Sequence, residues 1–183
     1  MRRVLASEVL NPRRLQWTAK LRHEEADHLV RYLYNKCKCA EIINVREAVY
    51  YYSGNMIRRM LFGRRHFGNG GRNGGPGVEE LEHVEAAFTV LSLIYCFCVS
   101  DFMPCLRWLD LDGHERKMKE NVRVIDKYHD PIIDERVEFW RGEEKQDQEP
   151  KDLLDIMISL KDGSGMPVLT PEEIKAQVAV SFE

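Results

Sequence analysis

At 183 residues with 44% hydrophobic content, the chain is long enough for one sizeable core, and its composition excludes disorder throughout. A net charge of -3 excludes a strongly basic nucleic-acid binder. The charge is uneven: Met1 to Arg22 carries Arg2, Arg3, Arg13, Arg14, Lys20 and Arg22 against Glu8 alone, whereas Asp134 to Asp155 holds nine acids against four bases, so the two ends present either a partner-facing surface or solvated faces.

In chain order, the first residues M-R-R-V-L-A-S-E-V-L already read as helical. Ala26, Leu29, Val30, Leu33 and Tyr34 recur at spacings of three and four and predict a helix with one apolar stripe. Val45, Ala48, Val49, Tyr52, Met56, Ile57, Met60 and Leu61 predict a second. Asn44 caps it, Glu47 is expected to reach back to the N–H of the cap, and Gly63 supplies a left-handed end. From Gly63 to Gly77 there are seven glycines, which predicts a flexible surface loop.

Val78 to Ser100 is expected to form the next helix, with Glu79, Glu80 and Glu82 near its positive end and a second half buried deep. Asp101 to Asp112, with Pro104, reads as a loop containing about one helical turn. Asp112 then caps a long helix, with Glu115 at the box position, running through Met118, Val122, Ile125, Ile132, Ile133, Val137 and Trp140 to Arg141. Pro131 is expected to bend or interrupt it. A polar linker over 142–150 leads to a short amphipathic helix around Leu153, Leu154, Met157, Ile158 and Leu160, then to a turn over Asp162 to Leu169. Thr170, Pro171 and Glu173 mark the sharpest helix start in the chain. No internal repeat or strand of useful length is visible, so the fold class is mainly α. A chain that opens and closes inside helices is expected to be an incomplete domain, 1–183, cut from something larger.

Several chemistries lack the residues they need. Cys37, Cys39, Cys96, Cys98 and Cys105 are an odd set with no secretory leader before them and read as reduced thiols. Structural zinc usually wants cysteine pairs separated by two or more residues, so the two C-x-C pairs predict no metal site. The apolar run Ala86 to Val99 is broken by Thr89 and Ser92 and is expected to be too short to cross a bilayer. The six histidines form no H-E-x-x-H, and no phosphate-binding glycine loop opens a helix after a strand. E-x-x-R at Glu120 to Arg123 and Glu138 to Arg141 reads as ordinary helical charge pairs. The arginine-glycine loop over Gly63 to Gly75 is a weak RNA-binding signal in an acidic chain without a basic aromatic platform, so no nucleic-acid partner is expected.

N-M-I-R-R-M-L-F-G-R-R-H-F-G from Asn55 and V-S-D-F-M-P-C-L-R-W-L-D-L-D-G-H-E from Val99 closely resemble plant cytochrome P-450 monooxygenases of the amino-acid N-hydroxylase group. M-R-R-V-L-A-S-E-V-L-N-P, E-E-A-D-H-L-V-R-Y from Glu24, D-P-I-I-D-E-R from Asp130 and the entry at Val168 to Pro171 resemble the same family in the same order, and V-A-V-S-F-E after Gln177 departs from it. The resemblance implies the central helical portion of that fold, from within helix C to the start of helix I. It implies an enzyme that converts L-amino acids to aldoximes with haem, oxygen, NADPH and a cytochrome reductase, held on the endoplasmic reticulum membrane. No anchor or targeting signal is expected within these residues. By the same resemblance, Arg2 holds a haem propionate, with its partner tryptophan expected before Met1. Arg2, Arg3, Arg13 and Arg14 face the reductase, and Phe97, Ser100, Phe102 and Met103 roof the substrate pocket. No glycine-flanked F-x-x-G-x-R-x-C-x-G loop is present to give haem iron its thiolate, so the chain alone is expected to bind no haem and to be inactive. The alternative expectation is a non-catalytic truncated gene product or a helical interaction module.

Overall fold

The computed structural model describes residues 12–71, 74–142 and 149–181, with the side chains of 13–15, 106–107 and 180–181 outside the described set. Eight α-helices follow one another among these residues: α1 Pro12–Trp17, α2 Ala19–Lys38, α3 Val45–Phe62, α4 Val78–Ile94, α5 Val99–Phe102, α6 His114–Arg141, α7 Leu153–Ser159 and α8 Pro171–Ser181, with a 3-10 turn at Pro104–Leu109 before α6. The only ladder pairing among the described residues is a single antiparallel bridge between Lys161 and Pro167. Arg2, Arg3 and most of the 142–150 linker lie outside the described residues.

α6 is the axis of the assembly, lying against α4, α7 and α8, while α3 joins α2 on one side to α4 and α7 on the other. Leu61 and Phe62 of α3, Ile132 and Ile133 of α6, Leu154 and Met157 of α7, and Ile174 and Val178 of α8 meet in the main core. Ala86, Ala87 and Val90 of α4 close on Ile125 in a smaller cluster. A fully buried aliphatic side chain of this size is worth about 1.5–3 kcal/mol, so α7, buried from Leu153 to Ile158, is a core plug. The short helix expected there is present, but it is buried on all sides where the sequence predicts an amphipathic pattern, Asp155 and Ile156 included.

Local signals explain most helix ends. Asn44 Oδ1 accepts from Glu47 N at 3.3 Å, and Gly63, at φ 65°, ends α3 by donating to Arg59 O at 3.0 Å. The Glu47 carboxylate takes the Tyr51 hydroxyl at 3.0 Å in place of the expected reach back to the cap. At α8 the reciprocal box forms in full: Glu173 N donates to Thr170 Oγ1 at 3.2 Å and Thr170 N to Glu173 Oε2 at 2.9 Å. Asp162 organises the preceding turn by accepting from Ser164 N and Met166 N at 2.8 and 3.0 Å.

Four expectations are corrected by the fold. The long helix is capped by Gly113 in the left-handed region, while Asp110 accepts from Glu115 N and Arg116 N at 2.9 and 3.0 Å, a role expected of Asp112. Pro131 does not interrupt α6, which runs unbroken over 28 residues. The apolar stripe of α2 is only in part its inward face: Ala26, Leu29 and Leu33 are half-buried, Val30 and Tyr34 are exposed, and Glu25 is the buried residue. The helix expected over Val78 to Ser100 ends at Ile94 and is buried only as far as Val90: Ile94 is 47% and the following Tyr95 84% exposed, while Glu80 and His83 are buried in the first half.

The stretch Val78–Phe102 is long and apolar enough to cross a membrane by length and composition, which revises the expectation that it is too short. Two features favour a packed helix. The backbone breaks between Ile94 and Val99, and α4 contains a buried carboxylate, Glu80, and a buried imidazole, His83, which meets His129 of α6.

Candidate functional site

The four expected pocket-roof residues lie at the outer end of α4 and in its connection to α6. The rings of Phe97 and Phe102 stack with centroids 5.0 Å apart and 18° between planes, yet they are 67% and 72% exposed. The Ser100 hydroxyl lies 2.9 Å from Cys98 Sγ, and Met103, which follows α5, is half exposed. Phe97 is thus joined to Phe102, and Ser100 to Cys98, on one face left open among the described residues. Asp112 ties the two ends of this connection together: Oδ2 accepts from Val99 N at 3.0 Å and Oδ1 from His114 N at 3.2 Å. Those two N–H donors, Val99 first, hold the Asp112 carboxyl below its ordinary range. Arg13 and Arg14 fall in α1, but their side chains, like the whole of Arg2 and Arg3, lie outside the described residues.

Sequence reasoning missed a polar cluster between α3, the first half of α4 and α6, beside the glycine-rich segment. Arg58 is fully buried on α3. Its Nη1 donates to Asn55 Oδ1 at 2.7 Å and to Arg65 O at 3.1 Å, and its guanidinium lies 4.6 Å from the Phe67 ring centre. Its Nε has no hydrogen-bond partner among the described residues. Burial pulls its pKa down to about 10, with Glu80 and then Glu25 acting in the opposite direction, so it stays charged at neutral pH.

Arg58 Nη2 lies 3.5 Å from His83 Nδ1, and His83 Nε2 lies 2.8 Å from His129 Nε2. Burial, then the neighbouring positive or protonatable groups, pushes both imidazoles well below their ordinary range. The only spacing signal for this cluster is Asn55 three residues before Arg58; His83 and His129 are 46 residues apart and meet only because α4 crosses α6.

Glu80 is a clamp more than a first-turn charge. Its carboxylate accepts from Phe67 N at 2.6 Å and from Gly77 N at 2.8 Å, joining both sides of the glycine-rich segment to the start of α4. Glu25 similarly holds Arg59 Nη1 at 2.9 Å and Arg65 Nε at 3.2 Å, while Glu24 also pairs with Arg59.

Chemically, these clusters position helices. Neutral buried imidazoles make usable general bases only where substrate reaches them, and neither His83 nor His129 lines the open grooves of about 510 and 530 Å³. The same grooves test the fit of a haem-thiolate centre. No cysteine lines them, four of the five thiols are exposed on helix ends or loops, and Cys98 is buried beside Ser100. The described residues by themselves do not fit an iron porphyrin with a thiolate ligand.

The fold is thus a mainly α scaffold whose helices are registered by buried Arg–His and Arg–Glu contacts, with an open aromatic face at Phe97 and Phe102. The family model "Cytochrome P450" matches residues 1–182, and the chain belongs to that family. Members carry haem, take electrons from a reductase partner and are typically membrane-anchored. The chain is 50% identical over 180 residues to a tryptophan N-monooxygenase of Prunus mume, a match covering 97% of this chain and 33% of the relative. It is 48% identical to valine N-monooxygenase 1 of Manihot esculenta (98% of this chain, 33% of the relative). It is also 48% identical to a tyrosine N-monooxygenase of Sorghum bicolor (97% and 32%). The chain therefore spans about a third of the length of the curated relatives it matches.

Proposed function

We propose that this chain is the central helical region of an amino-acid N-monooxygenase and contributes the roof of its substrate pocket. The activity is oxidation of an L-amino acid through two N-hydroxylations, followed by dehydration and decarboxylation to an aldoxime. Haem supplies the oxygen chemistry when bound, and its thiolate comes from residues that this sequence does not contain. In this proposal Phe97 and Phe102 form a stacked apolar ceiling, with Ser100 and Met103 beside it. Arg2 meets a haem propionate, and Arg2, Arg3, Arg13 and Arg14 offer positive charge to the reductase, where complementarity mainly raises docking rate. The endoplasmic reticulum is the expected site of action.

The single observation that carries this reading is near-50% identity to N-monooxygenases over almost the whole chain. Relatives named for tryptophan, valine and tyrosine match almost equally well, so overall identity singles out no one amino acid as the substrate. A second reading, a helical interaction module, draws on the uncovered aromatics Tyr95, Phe97, Phe102 and Trp108.

The test is expression of the full reading frame containing this segment with a reductase, L-amino acids and NADPH, followed by mass detection of aldoximes. Production of an aldoxime, with KM changed in Phe102→Ala more than in an exposed control such as Lys119→Ala, supports the enzyme reading. A frame that yields no thiolate Soret band in the reduced carbon-monoxide spectrum and no oxime overturns it in favour of the module.

A further inference from the structure

We propose that Cys98, Asp112 and His114 form a binding site for a borderline divalent cation of the zinc class, at the neck of the connection between α4 and α6. The three donor atoms, a thiol sulfur, a carboxylate oxygen and an imidazole nitrogen, all lie within 4.8 Å of one another. In a tetrahedral zinc site, ligand atoms about 2.0–2.3 Å from the ion stand about 3.5 Å apart, so closure requires only side-chain rotation of about an ångström.

The donor set is selective. One sulfur and one imidazole favour zinc, cobalt or nickel over magnesium and calcium, which prefer all-oxygen shells. With three protein ligands, the fourth position is left to water or to the Ser100 hydroxyl, which already lies 2.9 Å from Cys98 Sγ.

The surroundings are built for this. The Asp112 carboxylate is fixed by Val99 N and His114 N, one from each end of the connection, so it is oriented before any ion arrives. Cys98 is only 5% exposed, whereas Cys96 and Cys105 on the same stretch are exposed, which separates one thiol from its neighbours. Gly113 sits between two of the ligands at φ 65°, a conformation that lets Asp112 and His114 fold back toward Cys98 across a single residue. The C-x-C spacing that argues against zinc in the sequence is beside the point, since only one cysteine is used and its co-ligands lie fourteen and sixteen residues onward. Bound, the ion would staple the base of the loop that carries Phe97 and Phe102, restricting the aromatic face to one arrangement.

The experiment uses the whole chain, reduced and metal-free, titrated with cobalt(II) chloride. Expected are one equivalent bound, a near-ultraviolet thiolate-to-cobalt charge-transfer band, visible bands of tetrahedral cobalt, displacement of both by zinc, and a higher melting temperature with zinc present. The charge-transfer band is lost in Cys98→Ser and kept in Cys96→Ser and Cys105→Ser. Asp112→Asn and His114→Gln, whose melting temperatures without metal verify folding, weaken binding and abolish the zinc-induced rise. Persistence of the band in Cys98→Ser, its loss in Cys105→Ser, or no cobalt spectrum at all overturns the proposal.

Discussion

His83 and His129 face each other through their Nε2 atoms at 2.8 Å, and Arg58 determines which of them carries the proton. A guanidinium can only donate, so His83 Nδ1 accepts from Arg58 and the His83 proton sits on Nε2. His83 then donates to His129 Nε2, leaving the His129 proton on Nδ1. The chain Arg58–His83–His129 thus runs in one direction from α3 through α4 to α6 and has no place for an added proton.

Acid should therefore weaken the fold. Both imidazoles have folded pKa values far below the ordinary 6.5, so the stability gained by keeping them neutral is fully present above that value and is lost as pH falls below it. Each proton contributes a slope of about 1.4 kcal/mol per pH unit. Asp152 acts with the opposite sign: burial raises its pKa to about 6, so its contribution is present at low pH and lost as pH rises through that value. Two histidines against one aspartate leave a net loss of about one proton's slope between roughly pH 6 and 4. Urea midpoints should hold from pH 7.5 to about 6.5 and fall between there and pH 4.5, and a midpoint that rises on acidification contradicts the neutral pair.

Neighbouring glutamates on α2 should behave very differently. Glu25 is 1% exposed between Arg59 and Arg65, whereas Glu24 is 37% exposed and shares Arg59 from the surface. Glu25→Gln removes the one buried carboxylate between two partly buried guanidinium groups and is expected to cost about 2–3 kcal/mol. Glu24→Gln should cost less than about 1 kcal/mol. Chemical denaturation of the two variants at pH 7 checks the ranking, and equal losses count against the buried clamp between α2 and α3.

Gly63 and Gly74 separate backbone strain from collision. Both adopt positive φ, 65° and 75°, so a side chain at either costs about 1–2 kcal/mol in backbone strain. A Cβ at Gly63 would also stand 3.0 Å from Asp152 Oδ2, while one at Gly74 meets nothing within 4 Å. Gly63→Ala should therefore lower the melting temperature more than Gly74→Ala, and the difference should shrink when each change is made in an Asp152→Ala background.

Punctuation was the most legible part of the chain. The Asn44 cap, the Gly63 terminator and the Thr170–Glu173 box appear where their residue types predict, because each depends on contacts within four residues. Burial was less legible. Apolar spacing on α2 points to Val30 and Tyr34, yet Glu25 faces inward, because the arginines it meets come from α3 and the glycine-rich segment. The open aromatic face at Phe97 and Phe102 could not be read from hydropathy, which assigns a continuous apolar run to the interior whether or not anything packs against it. Among the candidate ligands, Cys98 was visible only as one of five thiols, and its relation to Asp112 and His114 exists only once the connection folds back.

By itself the sequence determined the mainly α class, the helix punctuation at Asn44, Gly63 and Thr170, and the family, since each follows from local pattern or from residue order along one strand of text. Tertiary structure alone decided that Arg58, His83 and His129 form a dry directional network, that Glu80 clamps the glycine-rich segment, and that Cys98 meets Asp112 and His114. Those relationships join residues thirteen or more positions apart, or depend on exclusion of water. Both arise from how helices cross, which no local periodicity encodes.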